Sequence, residues 1–493
     1  MKKITIAYIG GGSKGWAHGL FSDLLSQDRL EGDLRLYDTD VPAAQRNLTY
    51  FQKLVSHNPK KIKSKWNCAV VNGIDDALKG ADFVVISILP YTLDNMANDV
   101  HYPEKYGIWQ SVGDTVGAAG YSRALRTIPA YIFFAQKIRE NCPDAWVINY
   151  TNPMSMCMNV LYREFPEIKA FGCCHEVFGT KSLLCRIAGM YLALSEAGKK
   201  AFMESNLKAV KAELHNGFNH PKRYQTFGRE DIDCNVQGIN HFTWINKAFY
   251  KGLDLLPIYA AYIKMFDENN VKRCGKLTPY PLKRILNEHH VKFSLFEQNG
   301  AAAAAGDRHL AEFTPDQWLT RRRTLTDGFW LTPVSVRRKF DAYRTIMTKL
   351  AGTPFYSPRV KGTDEEGVMQ MTAICGLDDM TTNVNLPNRG QLKNIVLGPA
   401  VETDALFSLD SVVPLDAGEM TPESAAMVNA HAKNQMDFVE AYFRKDYSAL
   451  EDVFCRDPMV ARIGREDGEK LFAELIVLNA ECLEDFLLKK NNA

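Results

Sequence analysis

The sequence predicts an α/β fold: a doubly wound, mostly parallel sheet with a closely packed second region that is α+β and mostly helical. Three observations predict it. A β-branched run, Ile4 to Ile9, ends in Gly10-Gly11-Gly12-Ser13-Lys14-Gly15 and passes into apolar positions at helical spacing, Trp16, Leu20, Leu24 and Leu25. Short apolar strands and longer helical segments then alternate up to about residue 185. Beyond that point the alternation stops and helical periodicity takes over.

In chain order, Leu34 to Tyr37 forms a second strand ending at Asp38, and a helix runs from Pro42 to about Val55. Cys68 to Val71 is a third strand. Phe83 to Ile88 is a continuous apolar run, as expected of a strand buried on both faces. A long helix spans about Tyr121 to Asn141, and strands follow at Trp146 to Asn149 and Ala170 to Gly172. A parallel sheet of this kind binds ligands beyond the carboxyl ends of its strands. The boundary expected from the pattern is a Rossmann-like dinucleotide domain over 1–185 and a substrate, metal and oligomerisation domain over 186–493. Residues 190–230 are polar and lysine-rich and read as a surface insertion. Val236 to Tyr250 reads as strand, and the chain from Ser424 onward as mostly helix. Ala301 to Ala305 reads either as a turn or as a close backbone approach to a ligand. No Pro/Ser/Gly-rich linker separates the halves.

Composition excludes several classes. A net charge of +1 over 493 residues gives no electrostatic reason for a nucleic-acid or anionic-membrane partner. No apolar run approaches the ~20 residues of a membrane span, and the basic, then apolar, N-terminus reads as a first strand rather than a signal peptide. Eleven cysteines without a framework spacing read as reduced thiols, which points to the cytoplasm. Most, including Cys68, Cys157 and Cys185, sit among apolar residues and read as packing.

Gly10, Gly12 and Gly15 follow a strand and open a helix. In that context the first allows a tight turn, the second a close approach of pyrophosphate, and the third helix–strand packing. Phosphate charge then meets the helix N-terminus. Asp38, at the end of the second strand, is placed to accept from a ribose 2′-hydroxyl and to repel a 2′-phosphate, which favours NAD over NADP; its other reading is a turn residue. Asn152, in Asn149-Tyr150-Thr151-Asn152-Pro153, follows a buried strand, and its amide can both donate to and accept from a substrate hydroxyl. Asp114, in Gly113-Asp114-Thr115-Val116-Gly117, lies in a polar segment that otherwise reads as a surface turn. Cys174, in Gly172-Cys173-Cys174-His175-Glu176-Val177, is a candidate metal thiolate. His241, in Gly238-Ile239-Asn240-His241, is its natural partner, although a lone histidine near aromatics reads equally as a core residue. Gly306-Asp307-Arg308-His309 reads either as a charged helix start capped by Asp307, or as a base (Asp307) beside a guanidinium (Arg308) that pairs with a substrate carboxylate. Asn383 to Gly390 reads as a polar, turn-rich segment.

Together these segments resemble glycoside hydrolase family 4, in family order and over nearly the whole chain. The longer runs, Gln110 to Gly117, Cys173 to Gly179 and Gly306 to Phe313, resemble its bacterial α-galacturonidases. That family is an exception to two-carboxylate hydrolysis. The resemblance implies NAD and a divalent metal, usually manganese, held by Cys174 and His241. It implies redox-neutral cleavage of α-galacturonides by oxidation at C3, elimination, addition of water and reduction. Asp307 is the implied base, since no matching tyrosine is placed; Asn152 and Asp114 complete the catalytic set; His175, Arg308 and His309 recognise the substituent at C5. His175 after the metal cysteine and Val177 closing the motif depart from the phospho-sugar members and match the unphosphorylated ones. α-Glucuronidase and α-glucosidase remain alternatives, as does a NAD-linked hydroxyacid or polyol dehydrogenase on the same glycine loop. A homodimer or homotetramer is also implied.

Overall fold

The computed structural model describes residues 1–271, 280–319, 334–351, 353 and 355–488. Its centre is a nine-stranded sheet. Six strands come from the first part of the chain: β1 (Lys2–Ile9), β2 (Leu30–Tyr37), β3 (Trp66–Val70), β4 (Phe83–Ile86), β5 (Trp146–Asn149) and β6 (Lys169–Gly172). They pair in parallel in the order β3-β2-β1-β4-β5-β6. Three more strands, Met380–Pro387, Ala400–Ser408 and Ser411–Pro414, extend the β6 side antiparallel, with Asn385 opposite Gly172. The sheet therefore does not stop at residue 185.

Strand alternation divides the core between the two faces. Ala7, Ile9, Val84 and Ile86 point into one apolar cluster, which also takes in Tyr121, Ile128, Phe438, Phe454 and Leu471. Ile6, Tyr8, Phe83 and Val85 point into the other, with Phe21, Leu24 and Phe51. The late helices, led by Pro422–Phe443, thus pack directly on the long helix Gly117–Asn141.

Two expectations change. Residues 190–230 are not a polar surface insertion: Leu194, Phe202, Val210, Leu214, Phe218 and Phe227 join a separate apolar core with the helix Leu255–Val271. Their lysines face outward and hide an amphipathic period. Asn383 to Gly390 is not a turn-rich loop. It begins inside the strand Met380–Pro387, where Asn383 and Asn385 are buried. Ala302–Ala303 forms a short buried strand against Trp244 and Ile245. The ten described cysteines are free. Among the described residues no helix is long and apolar enough to cross a membrane.

Candidate active site

The carboxyl ends of β1, β4, β5 and β6 open on one edge of the sheet, and the chain turns there are the ones the motifs occupy. Gly10 takes φ +93°, and a Cβ on it would stand 2.1 Å from the Ser87 carbonyl oxygen, so the loop closes over β4 only with glycine. The Gly12 amide donates to Asp38 Oδ2 at 2.8 Å, which ties the loop to the end of β2. Asn47 donates to the Gly11 and Ser13 carbonyls at 2.7 and 2.9 Å. At Gly15, the N-cap of the helix Trp16–Ser26, the nearest atom a Cβ would meet is Arg344 Nη1, at 3.7 Å. That opening at a helix N-terminus, with Asp38 at its side, suits a dinucleotide's phosphates and ribose.

Asp114, His241 and His309 converge across the other half of the edge: one ligand atom from each lies within 4.8 Å of the others, which is a metal-capable geometry. The rings of His241 and His309 are 3.7 Å apart, centroid to centroid. His241 sits at φ +65°, in the turn between two short strands, Gln237–Ile239 and Phe242–Ile245. Burial, with His309 beside it, lowers its pKa to about 3, so its imidazole is neutral with a lone pair free for a cation. Burial works against the charge of Asp114, but His309, His241, Arg123 and Arg337 hold its carboxyl well below the usual range. Asn152 Nδ2 donates to Asp114 Oδ2 at 3.3 Å, while Asn152 Oδ1 is buried without a partner. The Asn152–Pro153 peptide is cis.

Cys174 follows β6. Its thiol is pushed well above the ordinary value by burial, then by Glu402 and Glu176, with Asn240, the residue before His241, beside it. It is therefore a protonated thiol until a bound cation offsets its burial and the nearby Glu176 charge. Glu176 also faces His309 and His241, its Oε1 lying 3.9 Å from His309 Nε2, so Cys174 and the histidine pair share a wall. His175 is exposed and pairs with Glu365 at 2.9 Å, near the ring of Trp16. Arg308 Nη2 donates to the Ser111 carbonyl at 2.6 Å, and its Nε is buried without a partner.

Asp307 is placed otherwise than expected of a base. It is 2% exposed, and its two oxygens accept from the amides of Val291 and Lys292, at 2.9 and 3.1 Å. Burial raises its pKa to about 6. It heads the helix Asp307–Phe313, and its carboxyl is taken up by backbone amides inside the neighbouring helix Tyr280–Asn299. Sequence reasoning missed Glu176, Glu312, Arg337 and Glu402. Glu176 and Glu312 stand inside quoted motifs and were within reach; Arg337 and Glu402 come from segments whose position only the fold reveals.

A dinucleotide-type loop and a metal-capable cluster on one sheet edge define a cofactor-dependent α/β enzyme. Family models describe its ancestry: "Family 4 glycosyl hydrolase" matches residues 5–190, and "Family 4 glycosyl hydrolase C-terminal domain" matches 236–460. The chain belongs to family 4 of the glycosyl hydrolases, and it is a glycoside hydrolase. It is 42% identical over 488 residues to an α-galacturonidase of Thermoanaerobacterium saccharolyticum, covering 99% of this chain and 98% of the relative. It is 41% identical over 477 residues to one of Bacillus subtilis, covering 97% of each. A crystal structure of the B. subtilis protein lplD superposes with a TM-score of 0.82 at 39% identity, covering 96% of this chain and 100% of that one. The 6-phospho-β-glucosidase of Thermotoga maritima, solved with manganese, NAD+ and glucose-6-phosphate, superposes at 0.71 with 17% identity, covering 98% of this chain and 99% of that one, and shows the shared fold.

Proposed function

We propose that the chain is an α-galacturonidase that works with NAD+ and Mn2+. The observation that carries this reading is Arg308. It brings a guanidinium among Asp114, Glu312 and Glu176, at the metal-capable cluster, and a guanidinium matches a uronate carboxylate. The full-length likeness to α-galacturonidases supports it. Bound NAD+ would supply reversible oxidation of a sugar carbon, and a bound divalent cation Lewis-acid polarisation of its oxygens.

The chain's own residues then have these parts. Gly10, Gly12, Gly15 and Asp38 hold the dinucleotide. Cys174 and His241 are the cation ligands in this reading; His241 clusters with Asp114 and His309, a cluster that does not include Cys174, which reaches the site through Glu176. Asn152, pinned by Asp114 and by Arg123 Nε on its carbonyl at 3.0 Å, orients sugar hydroxyls. His309, backed by Glu176, is the group that takes the proton from C2, in place of Asp307. Arg308 and His175 read the C5 substituent. The ten free thiols support a reducing, cytoplasmic setting. A homodimer or homotetramer is part of this reading, to be measured by light scattering in solution.

The test is a hydrolysis panel of α-galacturonide, α-glucuronide and α-glucoside with NAD+, Mn2+ and a thiol reductant. Preferred turnover of the galacturonide without accumulation of NADH is the expected result. NADH formed in proportion to substrate consumed would instead indicate a dehydrogenase.

A further inference from the structure

The loop that carries Asp114 is clasped from two sides by arginines. Arg308 Nη2 donates to the carbonyl of Ser111, and Arg337 Nη2 to the carbonyl of the next residue, Val112. Arg337 comes from a distant segment, the helix Val334–Ala351, and among the described residues its Nη1 meets just the Met96 thioether, at 3.5 Å. Both side chains are partly desolvated, and each feels the other's neighbours: Arg337 senses Asp114, Arg308 and Glu312, while Arg308 senses Glu312 and Asp114.

Two guanidinium groups on consecutive carbonyls repel one another, and the charges nearby are spent elsewhere. Among the described residues neither arginine forms an ion pair with a carboxylate. Asp114 takes Thr115 Oγ1 at 2.9 Å and Asn152 Nδ2 at 3.3 Å. Glu312 Oε1 takes the amides of Val112 and Gly113, at 2.7 and 2.9 Å. A mere clasp on the loop needs hydrogen bonds, not two adjacent cations, and leaves the Arg308 Nε without a partner. An incoming carboxylate would satisfy that donor and offset both charges, and the planar fork of arginine suits it.

We propose that Arg337 and Arg308 form a two-point clamp for the C6 carboxylate of the substrate, with Arg337 the specificity-determining member. The inference rests on the uronide reading of the site and names the residue that enforces it. The clamp holds the sugar against the loop bearing Asp114, so the same contact that selects the acid also orients the ring toward Asn152.

The experiment compares the whole enzyme with Arg337→Met and Arg337→Lys. It measures inhibition of hydrolysis by D-galacturonate and by D-galactose, together with KM and kcat on the galacturonide. Arg337→Met should raise Ki for galacturonate and KM at least tenfold, with Ki for galactose changed less than twofold and kcat changed less than KM. Arg337→Lys, which keeps the charge but loses the fork, should fall between. Equal weakening of both inhibitors would make Arg337 a structural clasp and overturn the clamp, as would no change. Equal inhibition of the unaltered enzyme by galacturonate and galactose would remove the uronide reading itself, and the clamp with it.

Discussion

Thr115 Oγ1 lies 2.7 Å from Nδ1 of His241 and donates to Asp114 Oδ1 at 2.9 Å. With its proton on Asp114, the hydroxyl can only accept from the imidazole. Nδ1 therefore carries the hydrogen, and Nε2 is left with the lone pair a cation needs. Outer contacts of this kind fix the tautomer and orientation of a ligating histidine, and losing one costs about 10–100-fold in metal affinity. Thr115→Val should weaken Mn2+ binding by that much, with Thr115→Ser close to the parent. Titration calorimetry on the NAD-loaded protein measures it, and unchanged affinity in the valine variant would show that the hydroxyl does not set the tautomer.

Asp307 separates two roles that the sequence left open. As a buried acceptor of two amides inside the helix Tyr280–Asn299 it stabilises the packing there, and an asparagine would turn an NH2 group toward one of those donors. Unmet buried polar groups cost about 1–3 kcal/mol. Asp307→Asn should lower the unfolding free energy by that order, while the folded fraction still exchanges the C2 hydrogen with solvent during turnover. Loss of C2 exchange in a variant of undiminished stability would restore Asp307 as the base.

The sheet was legible because each of its early strands is a short apolar run closed by a turn signal, and because the glycine loop has one structural context. Asn152, His241 and Asp114 were legible as residues; Asn152 and Asp114 follow β5 and β4 to one edge of the sheet, whereas His241 is brought there by a separate three-stranded sheet that the sequence did not place. Residues 190–230 were misread because lysines are interspersed among the apolar positions that Phe202, Val210 and Phe218 occupy and mask their period. Asn383 was read as loop because asparagine is rare in strand interiors; here Glu402 and the Cys174 carbonyl accept its amide hydrogens, at 2.8 and 3.3 Å. Arg337 carried no local signal at all. Its place depends on a helix laid across the sheet edge from more than two hundred residues away.

That same helix reaches the glycine loop. Lys14 pairs with Asp341 at 2.7 Å, and one turn on, Arg344 stands beside Gly15. A cation at a helix N-terminus adds to the attraction for phosphate. Arg344→Ala should weaken NAD+ binding by about 3–10-fold, on the scale of about 1 kcal/mol per exposed charge-assisted contact, and the deficit should shrink as salt rises. Equilibrium titration without substrate is the measurement; affinity equal to that of the parent would place the guanidinium outside the phosphate site.

Glu402 gives a pH dependence of definite sign. It is 1% exposed on the strand Ala400–Ser408, and burial raises its pKa to about 8, against hydrogen bonds from the neighbouring asparagines. An unfolded glutamate titrates near 4.3. Between those values the folded protein binds more protons than the unfolded chain, so this group's contribution is fully present below about pH 4.3 and is lost as pH rises through about 8. The buried histidines act oppositely: His241 is lowered to about 3, and His18 and His431 to about 4, so their cost appears only below about pH 6.5. Between pH 7 and 9 the buried thiols also contribute, but they do so alike in the parent and in a Glu402 variant, so the difference between the two isolates Glu402. Glu402→Gln keeps an acceptor for Asn383 but never ionises. In cation-free protein its stability relative to the parent should rise by about 1.4 kcal/mol across that window, most of it below about pH 8, and level off above. Urea unfolding at fixed pH values measures the difference, and parallel curves for the two proteins would mean that Glu402 is ionised in the fold.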